Sequence, residues 1–193
     1  MTGWTERAYG DPDWYLAQRA DLIVHLGPRL ERGDTLLDLA CSDGALADHL
    51  PNGVAYVGVD MNEEQLAVAR ARGLDVVHAD LNGYVPPQPV DVTTCFRAIY
   101  YARDRRAFLR HVRTYTRKKF VFDLNPRQYR VADVRADVLA AGFGRFEIQP
   151  LFVSQRFAVA PSLGRALRRL EHVEPLARLL LRFRFTYVCA ASR

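Results

Sequence analysis

One short segment, residues 35–46, constrains the fold of this chain more than any other. It reads TLLDL followed by ACSDG and then AL, an apolar strand that turns through small residues into a helix. Small residues allow a backbone to approach a ligand closely. The segment therefore predicts the first βα unit of a parallel sheet, with a ligand site at the end of the strand.

Acidic residues stand at the ends of three successive predicted strands. Asp38 lies in the first, Asp60 follows the run AYVGV, and Asp80 follows VVHA. Parallel strands bring their carboxyl ends to one edge, where open α/β sheets bind ligands. A carboxylate after the second strand suits a ribose, so this row predicts a nucleoside site.

Residues 38–44 resemble the first motif of the class I S-adenosylmethionine-dependent methyltransferases, roughly Asp-Leu-Gly-Cys-Gly-x-Gly, and Asp60 resembles the acid that follows their second strand. The resemblance covers about residues 30–190. It implies S-adenosylmethionine as cofactor and S-adenosylhomocysteine as product. Two family glycines are replaced here, by Ala40 and Ser42, which should narrow the space for the methionine part of the cofactor.

The resemblance also implies which residues contact the cofactor. Asp60 is expected at the ribose, Asp80 at the adenine, and Asp38 at the loop and the cofactor's amino end. For Asp60, Asn62 is the better helix N-cap, which leaves the aspartate for another task. For Asp80 a plain turn role stays open. The predicted cofactor-binding residues are Asp38, Ala40, Cys41, Ser42, Gly44, Asp60, Met61, Asp80, Leu81 and Phe96.

Alternating strand and helix patterns predict an α/β, doubly wound sheet. The resemblance implies seven strands, mostly parallel, with an antiparallel last strand, the Rossmann-like methyltransferase fold. Later elements are predicted as strands over 90–96, 119–124, 146–153 and 183–190 and helices over 104–115 and 131–141, the last of these ending at Gly142.

The length predicts a single domain over 1–193, with an N-terminal helical cap over 1–30 and a leucine-rich helical insertion over 161–182. The insertion is interpreted as a packing face, with a lid or a dimer contact as the alternative. The protein is expected to be a monomer or a homodimer.

The acceptor is expected to contact two segments. One is the aromatic N-terminal region with the amphipathic stretch 16–30, which would either hold an apolar acceptor or simply cover the sheet edge. The other follows the fourth strand. The predicted substrate-binding residues are Tyr9, Trp14, Tyr15, Arg97, Tyr100 and Tyr101.

No catalytic base is predicted with conviction. Tyr100, Tyr101 and Asp123 are weak candidates, and the five histidines fall in predicted helices or a strand away from the site. No Asp-x-Asp or histidine cluster suggests a metal site, so a metal-independent reaction is predicted. The Asn/Asp-Pro-Pro-Tyr signature of base and glutamine amide methylation is missing after the fourth strand, and Asn125-Pro126 is interpreted as a turn.

The composition indicates which partners and which cellular location to expect. The net charge is +5, but the arginines group on predicted helix surfaces without an RNA-binding module, so nucleic acid is a disfavoured partner. Cys41, Cys95 and Cys189 are widely spaced and predict reduced thiols, with Cys41 the most reachable. No apolar run of about 18 residues and no leader are seen, so a cytoplasmic protein without membrane contact is expected.

These observations predict a methyltransferase that acts on oxygen or nitrogen of a small metabolite or natural-product acceptor. Ala40 and Ser42 keep open a catalytically silent binding or scaffold subunit with the same fold. An RNA methyltransferase is less favoured. A nicotinamide dehydrogenase is weaker still, because Gly-x-Gly-x-x-Gly spacing is missing.

Overall fold

A computed structural model describes residues 11–125, 128–151, 175 and 186–193. Its described strands form one seven-stranded sheet in the order β3-β2-β1-β4-β5-β7-β6. Strands β1 to β5 are parallel, and β7 lies antiparallel between β5 and β6. The strands are β1 Thr35–Leu39, β2 Ala55–Asp60, β3 Asp75–His78, β4 Val90–Cys95, β5 Thr116–Leu124, β6 Arg145–Leu151 and β7 Thr186–Ser192.

Four helices are described on the two faces of the sheet: α1 Pro12–His25, α2 Glu63–Ala71, α3 Arg105–Tyr115 and α4 Val131–Ala140. Side chains cap three of them, because Asp11, Asn62 and Asp104 each accept hydrogen bonds from amides of the first turn. Gly142 follows α4 with a φ of 94°, the left-handed conformation predicted for it.

The predicted fold class is confirmed, including the antiparallel last strand. Boundaries differ more: β5 begins at Thr116, and α1 ends at His25 rather than continuing to Leu30. The helix expected after β1 is a 3₁₀ turn, Ala45–His49. Pro51 holds Leu50 in an extended conformation, so this turn cannot continue as an α-helix. Tyr9 and the predicted insertion over 161–182 lie outside the described residues.

The core consists of one apolar cluster on each face of the sheet. Phe120 and Phe122 of β5 belong to the cluster with α3 and α4, whereas Val121 belongs to the cluster with α1. This alternation follows from the two-residue period of a strand. Within the described residues both faces of the sheet are thus covered, and the carboxyl ends of the strands are where an open α/β sheet binds ligands.

The three cysteines are all buried. Cys41 is 7% exposed whereas Cys95 and Cys189 are 0% exposed, so Cys41 is the most reachable of the three thiols, as predicted, although it is itself buried. Its Sγ packs against Gly58 of β2, where an added Cβ would come within 2.6 Å of the sulfur. Burial raises the pKa of the Cys41 thiol, and the residue therefore acts as a small packing group.

Much of the basic charge is used within the fold. Arg105 and Arg106 of α3 both pair with the buried Asp137 of α4. Lys118 donates to Asp34 at 2.7 Å, and Arg113 donates to the carbonyl of Gly142 at 2.9 Å. These contacts fasten helices and loops to the sheet. None of the described helices has the length and apolar character needed to cross a membrane.

Lys119 is a fully buried lysine that fastens α1 to the sheet. Its Nζ donates to the carbonyl oxygens of Leu26 at 2.7 Å and Val24 at 3.4 Å, at the C-terminal end of α1. Those carbonyls have no partner within the helix, and a cation is the favourable group there. Burial nevertheless lowers the pKa of Lys119 to about 8.

This low pKa predicts a rise in stability with pH. Unfolded Lys119 keeps its ordinary pKa of 10.5, so the folded protein loses the proton first and the burial cost disappears between about pH 8 and pH 10.5. Relative to Lys119→Met, the wild-type free energy of unfolding should rise over this interval by up to about 3 kcal/mol. Denaturant titrations at several pH values measure it, and parallel curves for the two proteins would contradict it.

Candidate active site

The loop after β1 holds the replaced glycine positions in a left-handed backbone conformation. Ala40 has a φ of 62°, Ser42 of 55° and Gly44 of 68°. Glycine adopts such angles without strain, whereas other residues cost roughly 1–2 kcal/mol each. The loop therefore keeps the shape that glycines would give it, at the expense of two strained residues.

Asp60 holds this strained loop in place. Its Oδ2 accepts a hydrogen bond from the Ser42 amide at 2.8 Å, and its Oδ1 accepts one from the Asn62 amide at 2.8 Å. Asn62 is the N-cap of α2, as the sequence predicts, but Asp60 is engaged with two amides. A carboxylate has about four acceptor sites, so Asp60 can still accept from a ribose hydroxyl, and that role stays a prediction.

Asp38 is a buried carboxylate at the centre of the site. It is 4% exposed and accepts hydrogen bonds from the Thr94 hydroxyl at 2.7 Å and the Tyr56 hydroxyl at 3.1 Å. Burial raises the pKa of Asp38 to about 6, against the opposing effect of the Thr94 hydrogen bond. The group thus changes charge close to neutral pH.

Arg19 of α1 is a buried cation in the same site, and the sequence analysis did not identify it. Its guanidinium carbon lies 4.4 Å from the ring centre of Tyr15 and 4.3 Å from that of Phe96, a cation–π sandwich. A signal was present in the sequence, because Arg19 falls at helical spacing between Leu16 and Ile23, on the buried face.

This sandwich changes the interpretation of Tyr15. Its side chain is 3% exposed and contacts Arg19, so it supports the arginine rather than offering a surface to an acceptor. Trp14, also predicted to bind substrate, is partly buried, and its amide completes the α1 cap with Asp11 at 3.0 Å.

Arg97 follows β4 and is the third non-glycine residue with a left-handed backbone, at a φ of 55°. Its amide donates to Oδ1 of Asp123 at 2.6 Å. Asp123 is 7% exposed, and burial raises its pKa. The carboxylate proposed as a weak candidate base therefore holds the backbone of Arg97.

Asp80 and the tyrosine pair form the next part of the edge. Oδ2 of Asp80 accepts from Arg103 at 2.7 Å and Oδ1 accepts from the Asn82 amide at 2.9 Å, contacts that lower the pKa of Asp80. Asn82 also donates to the Tyr101 carbonyl at 3.3 Å. The rings of Tyr100 and Tyr101 are exposed, with centres 4.5 Å apart.

Two cavities lie along this edge. A cavity of about 30 Å³ is lined by Arg19, Asp38, Ala40, Ser42 and Arg97, among others. It has room for a few water molecules, so a larger group needs a side chain to move. An open groove of about 530 Å³ is lined by residues 60–64, including the exposed Met61. Leu81, predicted to contact the cofactor, is buried in one of the apolar clusters of the core.

Comparison with known proteins finds similarity to methyltransferases. Residues 36–119 match the family described as a methyltransferase domain. A trans-aconitate 2-methyltransferase of Mycobacterium tuberculosis is 29% identical over 109 residues, 51% of this chain and 41% of the relative. A ubiquinone biosynthesis O-methyltransferase of Aeromonas salmonicida is 28% identical over 121 residues, 55% of this chain and 51% of the relative. The chain spans about half the length of these relatives or less.

The fold is also shared with solved structures. Magnesium protoporphyrin IX methyltransferase from Synechocystis, with bound S-adenosylmethionine, superimposes with a TM-score of 0.63 at 15% identity, over all of this chain and 85% of the other. At this identity the likeness establishes the fold alone. The matched domain begins at Leu36 and includes the strained loop, Asp60 and Asp80.

The left-handed loop predicts the effect of restoring glycine. Ala40→Gly and Ser42→Gly should each raise the free energy of unfolding by about 1 kcal/mol, because the strain is removed while the backbone stays in place. Thermal or denaturant unfolding measures this. The control is Ala67→Gly on the exposed face of α2, which should lose about 0.5–1 kcal/mol. Equal losses in the loop and control variants would contradict the prediction.

Proposed function

We propose that this chain, whose residues 36–119 match a methyltransferase domain, transfers a methyl group from S-adenosylmethionine to a small-molecule acceptor. The curated relatives are named for two small molecules, trans-aconitate and ubiquinone, which supports an acceptor of this size. The internal use of the α3 arginines weakens the case for a nucleic-acid substrate.

One observation carries the proposal: a buried carboxylate and a buried guanidinium line the same small cavity beside the β1 loop. Asp38 suits the ammonium group of the cofactor's methionine end, and Arg19 suits its carboxylate. An amino-acid zwitterion needs this pair of opposite charges. The donor set therefore fits the group, and the size of the cavity requires Arg19 or the loop to shift on binding.

The neighbouring strand ends supply what the rest of the cofactor needs. The surface lined by residues 60–64, including Asp60 and Met61, is open to solvent, so a nucleoside could lie against it without a rearrangement of the chain. Asp80 stands one strand further, held by Asn82 and Arg103. We assign the ribose to Asp60 and the adenine side to Met61, Asp80 and Leu81.

When bound, S-adenosylmethionine supplies a methyl group on a positively charged sulfur. The residues of this chain then bind the cofactor, orient it and shield it from solvent. Arg19 and Asp38 fix one end of the cofactor, and the rings of Tyr15 and Phe96 hold the Arg19 guanidinium in position. In-line transfer depends on such alignment of nucleophile, methyl and sulfur. Within the described part of the chain, no histidine lines the cavity.

Calorimetric titration with S-adenosylmethionine and S-adenosylhomocysteine tests the proposal directly. We expect micromolar binding that Asp60→Ala weakens at least tenfold, because the variant loses both the ribose acceptor and the clamp on Ser42. Asp75→Ala, an exposed acid at the start of β3, is the matched control and should bind as wild type does. Absence of binding to the intact protein would overturn the proposed function.

A second candidate has support from the same loop. Strained Ala40 and Ser42 and a cavity of about 30 Å³ suit a subunit that keeps the fold and has lost turnover. Such a subunit could still bind the cofactor. Methyl transfer to acceptors therefore has to be measured separately from binding.

The pKa of Asp38 predicts how binding depends on pH. An ammonium group favours the ionised carboxylate, whereas the unbound protein protonates Asp38 below about pH 6. Cofactor affinity should therefore fall several-fold, approaching tenfold, between pH 7 and pH 5. The Asp38→Asn variant should bind more weakly and show a flat profile over this range. A wild-type profile as flat as that of the variant would exclude Asp38 as the ammonium partner.

The role of Arg19 predicts a selective loss. Arg19→Gln should weaken binding of S-adenosylmethionine about tenfold or more, since a charge-assisted contact to the carboxylate is lost. The same substitution should leave binding of decarboxylated S-adenosylmethionine nearly unchanged. Parallel calorimetry with the two ligands checks this. An equal loss for both ligands would mean that Arg19 acts only by supporting the cavity wall.

A further inference from the structure

We propose that Thr94 and Tyr56 are positioning residues for the cofactor: their hydroxyls hold the Asp38 carboxylate ionised and in place, and so set how acidic the solution can become before the cofactor is released. This inference rests on the proposed function and goes further, because it names two residues that control the charge of the site. Neither of them lines the cavity itself.

The register of the sheet brings the two hydroxyls to one carboxylate. Thr94 of β4 lies directly opposite Asp38 of β1, and Gly58 of β2 lies opposite it on the other side. Residues paired in this way share a face of the sheet, and Tyr56, two residues before Gly58, lies on that face too. Three neighbouring strands therefore place one acid between two hydroxyl donors.

Each carboxylate oxygen of Asp38 has its own donor. The Thr94 hydroxyl donates to Oδ1 at 2.7 Å, and the Tyr56 hydroxyl donates to Oδ2 at 3.1 Å. The Leu37 carbonyl is a longer alternative acceptor, 3.4 Å from the Thr94 hydroxyl oxygen. Burial raises the pKa of the Tyr56 phenol, and the charge of Asp38 raises it further, so this hydroxyl keeps its proton and remains a donor. Two donors on opposite oxygens fix the orientation of the carboxylate.

The hydroxyls matter because burial opposes the charge of Asp38. The carboxyl group is nearly inaccessible to water, and Thr94 is fully buried beside it. Burial raises the pKa of Asp38, and the Thr94 hydrogen bond is the strongest of the influences that lower it. The charge of Arg19 and the Tyr56 hydrogen bond follow, whereas the charge of Asp60 acts with burial.

The other groups near Asp38 are less suited to this role. Burial raises the pKa of the Cys41 and Cys95 thiols, so both stay neutral, and a thiol is a weak donor. Asp60 carries a like charge, which disfavours ionisation of Asp38. Arg19 is the residue proposed to bind the carboxylate of the cofactor. The two hydroxyls are therefore the groups whose hydrogen bonds are dedicated to the Asp38 carboxylate.

Near-isosteric variants measured as a function of pH test the proposal. Thr94→Val and Tyr56→Phe each remove one hydroxyl donor and change the side-chain volume little. Calorimetric titration with S-adenosylhomocysteine between pH 5 and pH 8.5 gives the pH at which affinity is half-maximal. Each variant should raise this midpoint by about one pH unit, because a hydrogen bond to the ionised form is lost. Affinity should then be about threefold below wild type at pH 6.5 and within about twofold at pH 8.5.

The chain offers a matched control for each variant. Thr93→Val removes an equally buried threonine hydroxyl from the opposite face of β4, where the partner is the Thr116 hydroxyl at 2.7 Å. Tyr115→Phe removes a buried phenol hydroxyl that has no hydrogen-bond partner among the described residues. Both controls should keep the wild-type midpoint. Thr94→Ser retains a hydroxyl at the same position and should also stay close to it.

A second measurement does not need the cofactor. The carboxyl carbon of Asp38 is followed by carbon NMR in the cofactor-free protein and assigned by its loss in Asp38→Asn. Its titration midpoint should lie near pH 6 in wild type. Thr94→Val and Tyr56→Phe should each move it upward by about one pH unit, whereas the Thr93 and Tyr115 controls should not.

The outcomes separate this inference from the proposed function. Unchanged midpoints in Thr94→Val and Tyr56→Phe overturn the inference. An affinity loss of the same factor at every pH also overturns it, because both hydroxyls would then have a structural role only. A wild-type protein that binds neither form of the cofactor at any pH overturns the proposed function itself, and the carbon titration then still decides whether the two hydroxyls control the charge of Asp38.

Discussion

The hydrogen bond from the Ser42 amide to Asp60 is the contact on which the site depends. It joins the loop after β1 to the end of β2 and holds a serine at a left-handed φ of 55°. Further contacts hold the loop, since the Cys41 amide donates to the Val59 carbonyl at 3.0 Å and the Ser42 hydroxyl donates to Gln65 at 3.3 Å. Ala40 and Ser42 line the same small cavity as Asp38 and Arg19, so the shape of the loop sets part of the cavity wall. The residue proposed to bind the ribose is therefore also one that stabilises the loop.

A second chain of contacts reaches the site from the opposite end of the sheet. Lys119 holds the last carbonyls of α1, and α1 carries Arg19 between the rings of Tyr15 and Phe96. Burial of Lys119, whose pKa is near 8, costs free energy. That cost is offset because Lys119 fixes α1, the helix that carries Arg19. The position of α1 on the sheet therefore determines where the positive charge of Arg19 lies in the cavity.

Sequence patterns predicted the sheet well because strand order follows from alternating βα units and from the row of acids at Asp38, Asp60 and Asp80. They did not predict what those acids contact. Composition carries no information on whether Asp60 accepts from a loop amide, or whether Asp123 holds the backbone of Arg97. Such contacts depend on tertiary approach between residues 18 and 26 positions apart. Arg19 was missed because apolar spacing draws attention to leucines on a buried face rather than to the one charge among them.

Ala40, Ser42 and Arg97 share a left-handed backbone conformation, which glycine adopts more easily than any of them. At the first two, the side chains are the smallest that differ from glycine, so the ligand-facing loop loses little space. At Arg97 the side chain is among the largest, so keeping space for a ligand does not explain the residue at this position. At Arg97 the strain is offset in part by the hydrogen bond from its amide to the buried carboxylate of Asp123. The left-handed conformation thus recurs after the neighbouring strands β1 and β4, in residues that line one small cavity.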